Sequence, residues 1–143
     1  MEIIIYGEPI AQGRPKFTSK NGIAWAYDPL KSKNFKQWVR LCAIQEVKKI
    51  SGFKPFETAC EVDVCFYRSI PTSWNKTKRK QAADEIILPI TRPDCGNYEK
   101  GLYDALTGIV WVDDSIVTDK HVRKRYTAGL ARIEIKITEV KPC

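Results

Sequence analysis

Histidine is almost missing from this chain. His121 is the one imidazole in 143 residues, and a lone histidine in a strand-like stretch is more often a surface or packing residue than a catalyst. The five cysteines, Cys42, Cys60, Cys65, Cys95 and Cys143, are odd in number and form no Cys-x-x-Cys pair. That argues against a disulfide framework and against a structural zinc site. No serine stands in a Gly-x-Ser-x-Gly elbow, so a serine hydrolase of that type is not expected. No Gly-x-x-x-x-Gly-Lys segment exists to cradle phosphates, which excludes a P-loop enzyme. Apolar runs such as Ile3–Tyr6 are short, far from the ~20 residues of a membrane span. Repeats, low-complexity tracts and long linkers are absent. The first residues carry no signal-peptide pattern. The thiols are therefore expected to be reduced, in a cytoplasmic protein.

What is present suits one domain over residues 1–143. Lys and Arg total 24 against 17 Asp and Glu, a net charge of +7. A surplus of that size favours a polyanionic partner, nucleic acid first. Ile3–Tyr6 reads as a first strand. Asn21-Gly22 between two extended segments signals a hairpin. Asp28-Pro29 opens a helix with Phe35, Trp38, Val39, Cys42, Val47 and Ile50 near one face, ending at Gly52. Cys60, Val62, Val64 and Phe66 alternate with polar positions, as in a half-buried strand. Trp74–Glu85 suits a short helix or ordered loop. Residues 97–106 form a helix capped by Asn97 and stopped by Gly108. Strands are expected at 109–112, 115–126 and 132–140. The sum is an α+β fold, a mixed sheet packed against two longer helices.

Acidic residues carry the chemistry. Asp94 precedes a helix in Arg92-Pro93-Asp94-Cys95-Gly96-Asn97, and Asp113-Asp114 follows the 109–112 segment. Carboxylates on neighbouring loops suit Mg²⁺, a hard cation that prefers oxygen ligands. The ordinary alternative is an N-cap and a turn. Lys100 sits in the first turn of its helix, where the macrodipole disfavours a cation. It acts on a phosphate or pairs with Asp104 at i,i+4. Two basic clusters, Lys76, Lys78, Arg79, Lys80 and Lys120, Arg123, Lys124, Arg125, lie near these acids in sequence and are bordered by Trp74 and Tyr126. A third basic loop holds Arg14 and Lys16. Together they suit a track along a nucleic-acid backbone, or a solvated face.

The chain resembles the RusA-type Holliday junction resolvases of bacteria and their phages. The resemblance rests on Gly7-Glu8-Pro9, Gln12-Gly13-Arg14-Pro15, Ile70-Pro71-Thr72-Ser73-Trp74 and Arg92-Pro93-Asp94. It continues through Asn97, Lys100, Leu102–Gly108, Val110-Trp111 and Asp113-Asp114-Ser115. It implies a homodimeric, Mg²⁺-dependent endonuclease that nicks four-way DNA junctions symmetrically; Mn²⁺, which binds oxygen sites somewhat more tightly, is expected to stand in for Mg²⁺. Its metal would be held by Asp94 and Asp114, with Asp113 beside them. Lys100 would be the catalytic lysine and Asn97 would brace the loop. The family carries a second aspartate two residues after the first, and here that position is Gly96. The departure implies weaker metal binding, a substitute ligand in Glu99 or Asp113, or a protein that binds junctions without cutting them. An RNA-binding α+β protein with acidic turns is the remaining alternative.

Overall fold

A computed structural model describes residues 1–141. The elements run β1 (Glu2–Tyr6), β2 (Lys16–Lys20), β3 (Ile23–Tyr27), α1 (Leu30–Lys48), β4 (Cys60–Ser69), α2 (Lys76–Ala83), α3 (Cys95–Leu106), a 3₁₀ turn (Asp114–Ile116), β5 (Val117–Thr127) and β6 (Arg132–Glu139). Four strands form one mixed sheet in the order β1-β6-β4-β5, and β2-β3 form a separate ribbon. β4 and β5 are parallel. A parallel pair needs a long crossover, and this one contains α2 and α3. The functional residues expected from the sequence cluster on that crossover and its exit.

Alternation sets the two faces of the sheet. Ile3 and Ile5 of β1, Ile133, Ile135 and Ile137 of β6, and Val62, Val64 and Phe66 of β4 are all buried. They meet Val39 and Ala43 of α1 and Leu102, Ala105 and Leu106 of α3 in one core. Phe66 stacks on Tyr98 with ring centres 5.0 Å apart. A smaller core forms under α2 from Ile70, Ala82 and Tyr126, with Trp74 packed against it. Helices therefore cover one sheet face, and Ile4 and Tyr6 remain exposed on the other. Among the described residues no cysteine is bridged. Burial pushes the thiols of Cys42, Cys60 and Cys65 up, as for packing residues. Cys143 lies outside the described residues.

Several expectations need correction. α1 starts after Pro29, and Asp28 does not cap it. Asp28 instead accepts hydrogen bonds from Gln12 Nε2 and Lys36 Nζ, and the Lys36 bond holds its carboxyl below the usual range. Trp38 is exposed, and its indole donates to the Tyr6 carbonyl at 2.8 Å. Ile50 lies beyond the helix and is exposed. Residues 109–112 are not a strand. Val110 and Trp111 are wholly buried, and backbone bonds from Phe56 to Val110 and from Val112 to Phe56 hold the segment outside the sheet. β5 begins two residues later than expected, because the Asp113 side chain caps the 3₁₀ turn ahead of it. α3 is capped by Asp94, not Asn97. In the hairpin, Asn21 (φ 53°) and Gly22 (φ 77°) are both left-handed, the pairing a two-residue type I′ turn requires.

Candidate active site

The entry to α3 is held from three sides. Asp94 Oδ1 accepts a bond from the Asn97 amide at 2.8 Å, satisfying one of the free donors at a helix start. Lys124 of β5 donates to the carbonyls of Thr91 (2.9 Å) and Pro93 (3.0 Å), fixing the loop that delivers Asp94. The Gln12 amide donates to the Asn97 carbonyl at 3.0 Å. Glycine is needed where that segment runs between α1 and α3. A Cβ on Gly13 would come 2.8 Å from the Pro29 ring, whereas one on Gly101 would make ordinary contact with the Gln12 backbone at 3.5 Å. Gly13 also donates its amide to Ser32 Oγ at 2.8 Å.

One face of α3 looks into a recess. Gly96, Glu99, Lys100 and Tyr103 follow at i, i+3, i+4 and i+7, the spacing of a single helical face. Asp114, Val117 and Lys120 close the other side, and the recess measures about 450 Å³. Glu99 is the one buried charged residue among the described residues, 9% exposed. Lys120 Nζ lies 2.6 Å from its Oε1. Tyr103 is buried, and its hydroxyl has no well-aligned hydrogen-bond partner. Burial first, then the charge of Glu99 and a loose hydrogen-bonding contact with its carboxylate, and last the charge of Asp114, hold that phenol far above its ordinary pKa. Lys100 is exposed and is not paired with Asp104 as the helical spacing allowed; Lys36 takes Asp104 at 3.5 Å. Asp113 points to solvent; the Ser115 side chain first, and then the Ser115 amide that its carboxylate accepts from at 3.2 Å, lower its pKa.

The model of the family described as Endodeoxyribonuclease RusA matches residues 6–138. The chain belongs to the RusA family. A Bacillus subtilis (strain 168) protein described as uncharacterized protein YqaN is 40% identical over 142 residues, covering 98% of this chain and 96% of that one. Within this RusA fold, Lys100 and Asp114 line the recess, and Gly96 lies on its rim side with Asp94 next to it. A Cβ on Gly96 would meet only Asp94 Oδ1, at 3.6 Å. The family's second aspartate would therefore stand beside the first. Among the described residues no three potential metal ligands are already grouped. The recess nevertheless offers two carboxylates, Glu99 and Asp114, and a poorly matched buried hydroxyl. Mg²⁺ commonly takes one or two carboxylates and keeps several waters, so this donor set fits a weakly held, hydrated cation.

The basic residues of this RusA-family chain divide by strand alternation. Lys120 is paired with Glu99, and Lys124 is committed to the loop before Asp94. Arg123 and Arg125 alternate with them. Arg123 binds Asp63 at 2.7 Å on the sheet face away from the helices, and Arg125 lies 4.0 Å from Glu85. These four do not form one track. On α2, Lys78 covers the Trp74 ring at 4.0 Å and Arg79 reaches the Pro71 carbonyl at 3.5 Å. Lys76 and Lys80 flank a surface groove. Trp74 and Tyr126 pack edge to face. The ribbon adds a surface that composition alone did not single out. Its register pairs Lys16 with Tyr27, Thr18 with Trp25 and Lys20 with Ile23, so these side chains share one face. Trp25 and Tyr27 are close to half exposed, and Phe17 on the opposite face is 77% exposed. The signal was alternation in a hairpin with no element predicted to cover it.

Proposed function

We propose that this chain is a structure-selective DNA endonuclease that binds four-way junctions as a homodimer in the cytoplasm of a bacterial or phage-infected cell. It hydrolyses phosphodiesters with Mg²⁺ or Mn²⁺, and Gly96 makes its nicking weak. The family match over residues 6–138 carries this reading. Asp94 and Asp114, with Asp113 adjacent, are the carboxylates that would hold the cation. When bound, such a cation neutralises phosphate charge and makes water a better nucleophile. Lys100 stabilises charge developing on the scissile phosphate. Asn97 holds the loop through its amide on Asp94 and its carbonyl on Gln12. Arg14, Lys16, Lys20, Lys76 and Lys80 contact backbone phosphates, which fixes register without reading sequence. Trp25 and Tyr27 offer flat surfaces to sugars or unstacked bases.

The test uses a labelled four-way junction. Binding in EDTA is expected to exceed binding to linear duplex and to RNA. Slow nicking at symmetric positions is expected with Mg²⁺, and faster nicking with Mn²⁺, which binds such oxygen sites more tightly. Binding with no nicking under either metal would leave a junction-binding protein. Preference for RNA would overturn the reading.

A further inference from the structure

The carboxylate that the family carries at position 96 is missing, yet the recess beneath it is not short of negative charge. Glu99 stands one turn along on the same face of α3, with a side chain one methylene longer than aspartate. Its side chain is 12% exposed and lines the same recess as Asp114 and Tyr103. A buried carboxylate without compensation is strongly unfavourable. Lys120 supplies the compensation, but its side chain is 56% exposed and its flexible stem can swing to water. The Tyr103 hydroxyl is the second observation that points to a ligand. It is 6% exposed and makes no well-aligned hydrogen bond, with a loose contact to the Glu99 carboxylate, and a buried hydroxyl so poorly matched in a native recess calls for a further partner. Water on a hydrated cation would supply one. Asp113, the other substitute the sequence offered, is solvent-facing, lies outside the recess lining and is engaged with Ser115.

We propose that Glu99 takes over from the absent position-96 carboxylate. Glu99 joins Asp114, with Asp94 at the rim beside Gly96, in binding one hydrated divalent cation in this recess, and Lys120 is the resident counter-ion that the cation displaces. The proposal rests on the metal-dependent reading above, but it concerns binding and can be tested without DNA. Metal entry frees the Lys120 ammonium, which then sits beside Lys100 at the mouth of the recess, where a phosphate would arrive. Competition from Lys120 also accounts for a site weaker than three carboxylates would give.

The experiment is Mn²⁺ titration of the DNA-free protein, read by loss of the free-ion electron paramagnetic resonance signal. One Mn²⁺ per chain is expected. Glu99→Gln and Asp114→Asn should each weaken binding at least about tenfold. Lys120→Met, which removes the competitor, should tighten it about threefold. Asp104→Asn, which removes a carboxylate on another face of α3, should leave it unchanged. Thermal melting shows that each variant is folded, and Lys120→Met gives a gain that misfolding cannot imitate. Unchanged affinity in Glu99→Gln, weaker affinity in Lys120→Met, or no Mn²⁺ bound by either the parent or Lys120→Met overturns the proposal. Failure of the endonuclease reading looks different: the Mn²⁺ affinities keep this order while the junction is never nicked.

Discussion

Gly96 occupies the second position of α3 with a backbone outside the left-handed range, and the space around its Cβ position is open except for Asp94. An aspartate there is unstrained, and its charge suits the helix N-terminus. Two adjacent carboxylates repel, and a divalent cation relieves that repulsion. Gly96→Asp should therefore raise Mg²⁺-dependent nicking at least ~10-fold, equivalent to about 1.4 kcal/mol in the barrier. A folded variant with no gain would show that position 96 does not limit the site. Lys100 asks a separate question, because it forms no ion pair with Asp104, which contacts Lys36 instead. If its charge acts on the transition state, Lys100→Ala should lower nicking far more than junction binding. Equal losses would make it a binding residue. The comparison is best made in the Gly96→Asp background, where nicking is easier to measure.

At the scale of elements, α2 and the β2–β3 ribbon carry exposed basic side chains, Lys76, Lys80, Lys16 and Lys20, with no ion-pair partner among the described residues. Removing Lys78 or Arg79 would also disturb Trp74 or the Pro71 carbonyl, so Lys76 and Lys80 give the cleaner test. Lys76→Ala with Lys80→Ala should flatten the log–log salt dependence of junction binding by roughly 1–2 units, since each phosphate contact contributes about 0.9. The pair Lys16→Ala and Lys20→Ala should do the same for the ribbon. An unchanged slope in either double variant assigns that element to solvent. These elements were legible to different degrees in the sequence. β4 and β6 alternate cleanly, and Asn21-Gly22 placed the hairpin, because local patterns decide both. Residues 109–112 misled because Val110 and Trp111 are apolar for a tertiary reason, their burial against Phe56. The cap of α3 was misplaced by three residues, since Asp94 and Asn97 are both good caps and only the loop held by Lys124 selects between them. Asp94, Lys100 and Asp114 are singled out by their motif, and the fold brings Lys100 and Asp114 to one recess. The Glu99–Lys120 pair joins positions 21 apart on a helix and a strand, and no local spacing announces such a contact.

For the whole molecule, the charge of +7 suits the polyanionic partner proposed above, and the proposed symmetric nicking would need two recesses where each chain has one on α3. A C₂ dimer would supply the second and match the two-fold symmetry of a four-way junction. The chain retains apolar surface for such a contact. Ile4 and Tyr6 are exposed on β1, and Trp38 and Leu41 are exposed on α1. The sheet face away from the helices also carries both signs of charge, with Asp63 bound to Arg123 and Glu134 beside Arg132. A two-fold contact places one patch against its own copy, so a patch of mixed charge and apolar area is suited to it, whereas the purely basic ribbon and α2 would repel their copies. Sedimentation at micromolar concentration should thus give twice the 16.4 kDa chain mass. Ile4→Glu with Tyr6→Glu should shift the protein toward monomer if β1 lies in the contact, and Leu41→Glu should do so if α1 does. The shift should remove paired nicking of opposite strands more than single nicking, because each recess is complete within one chain. A monomer both with and without junction would rule out the dimer, and loss of all nicking on dissociation would show that the partner completes the site.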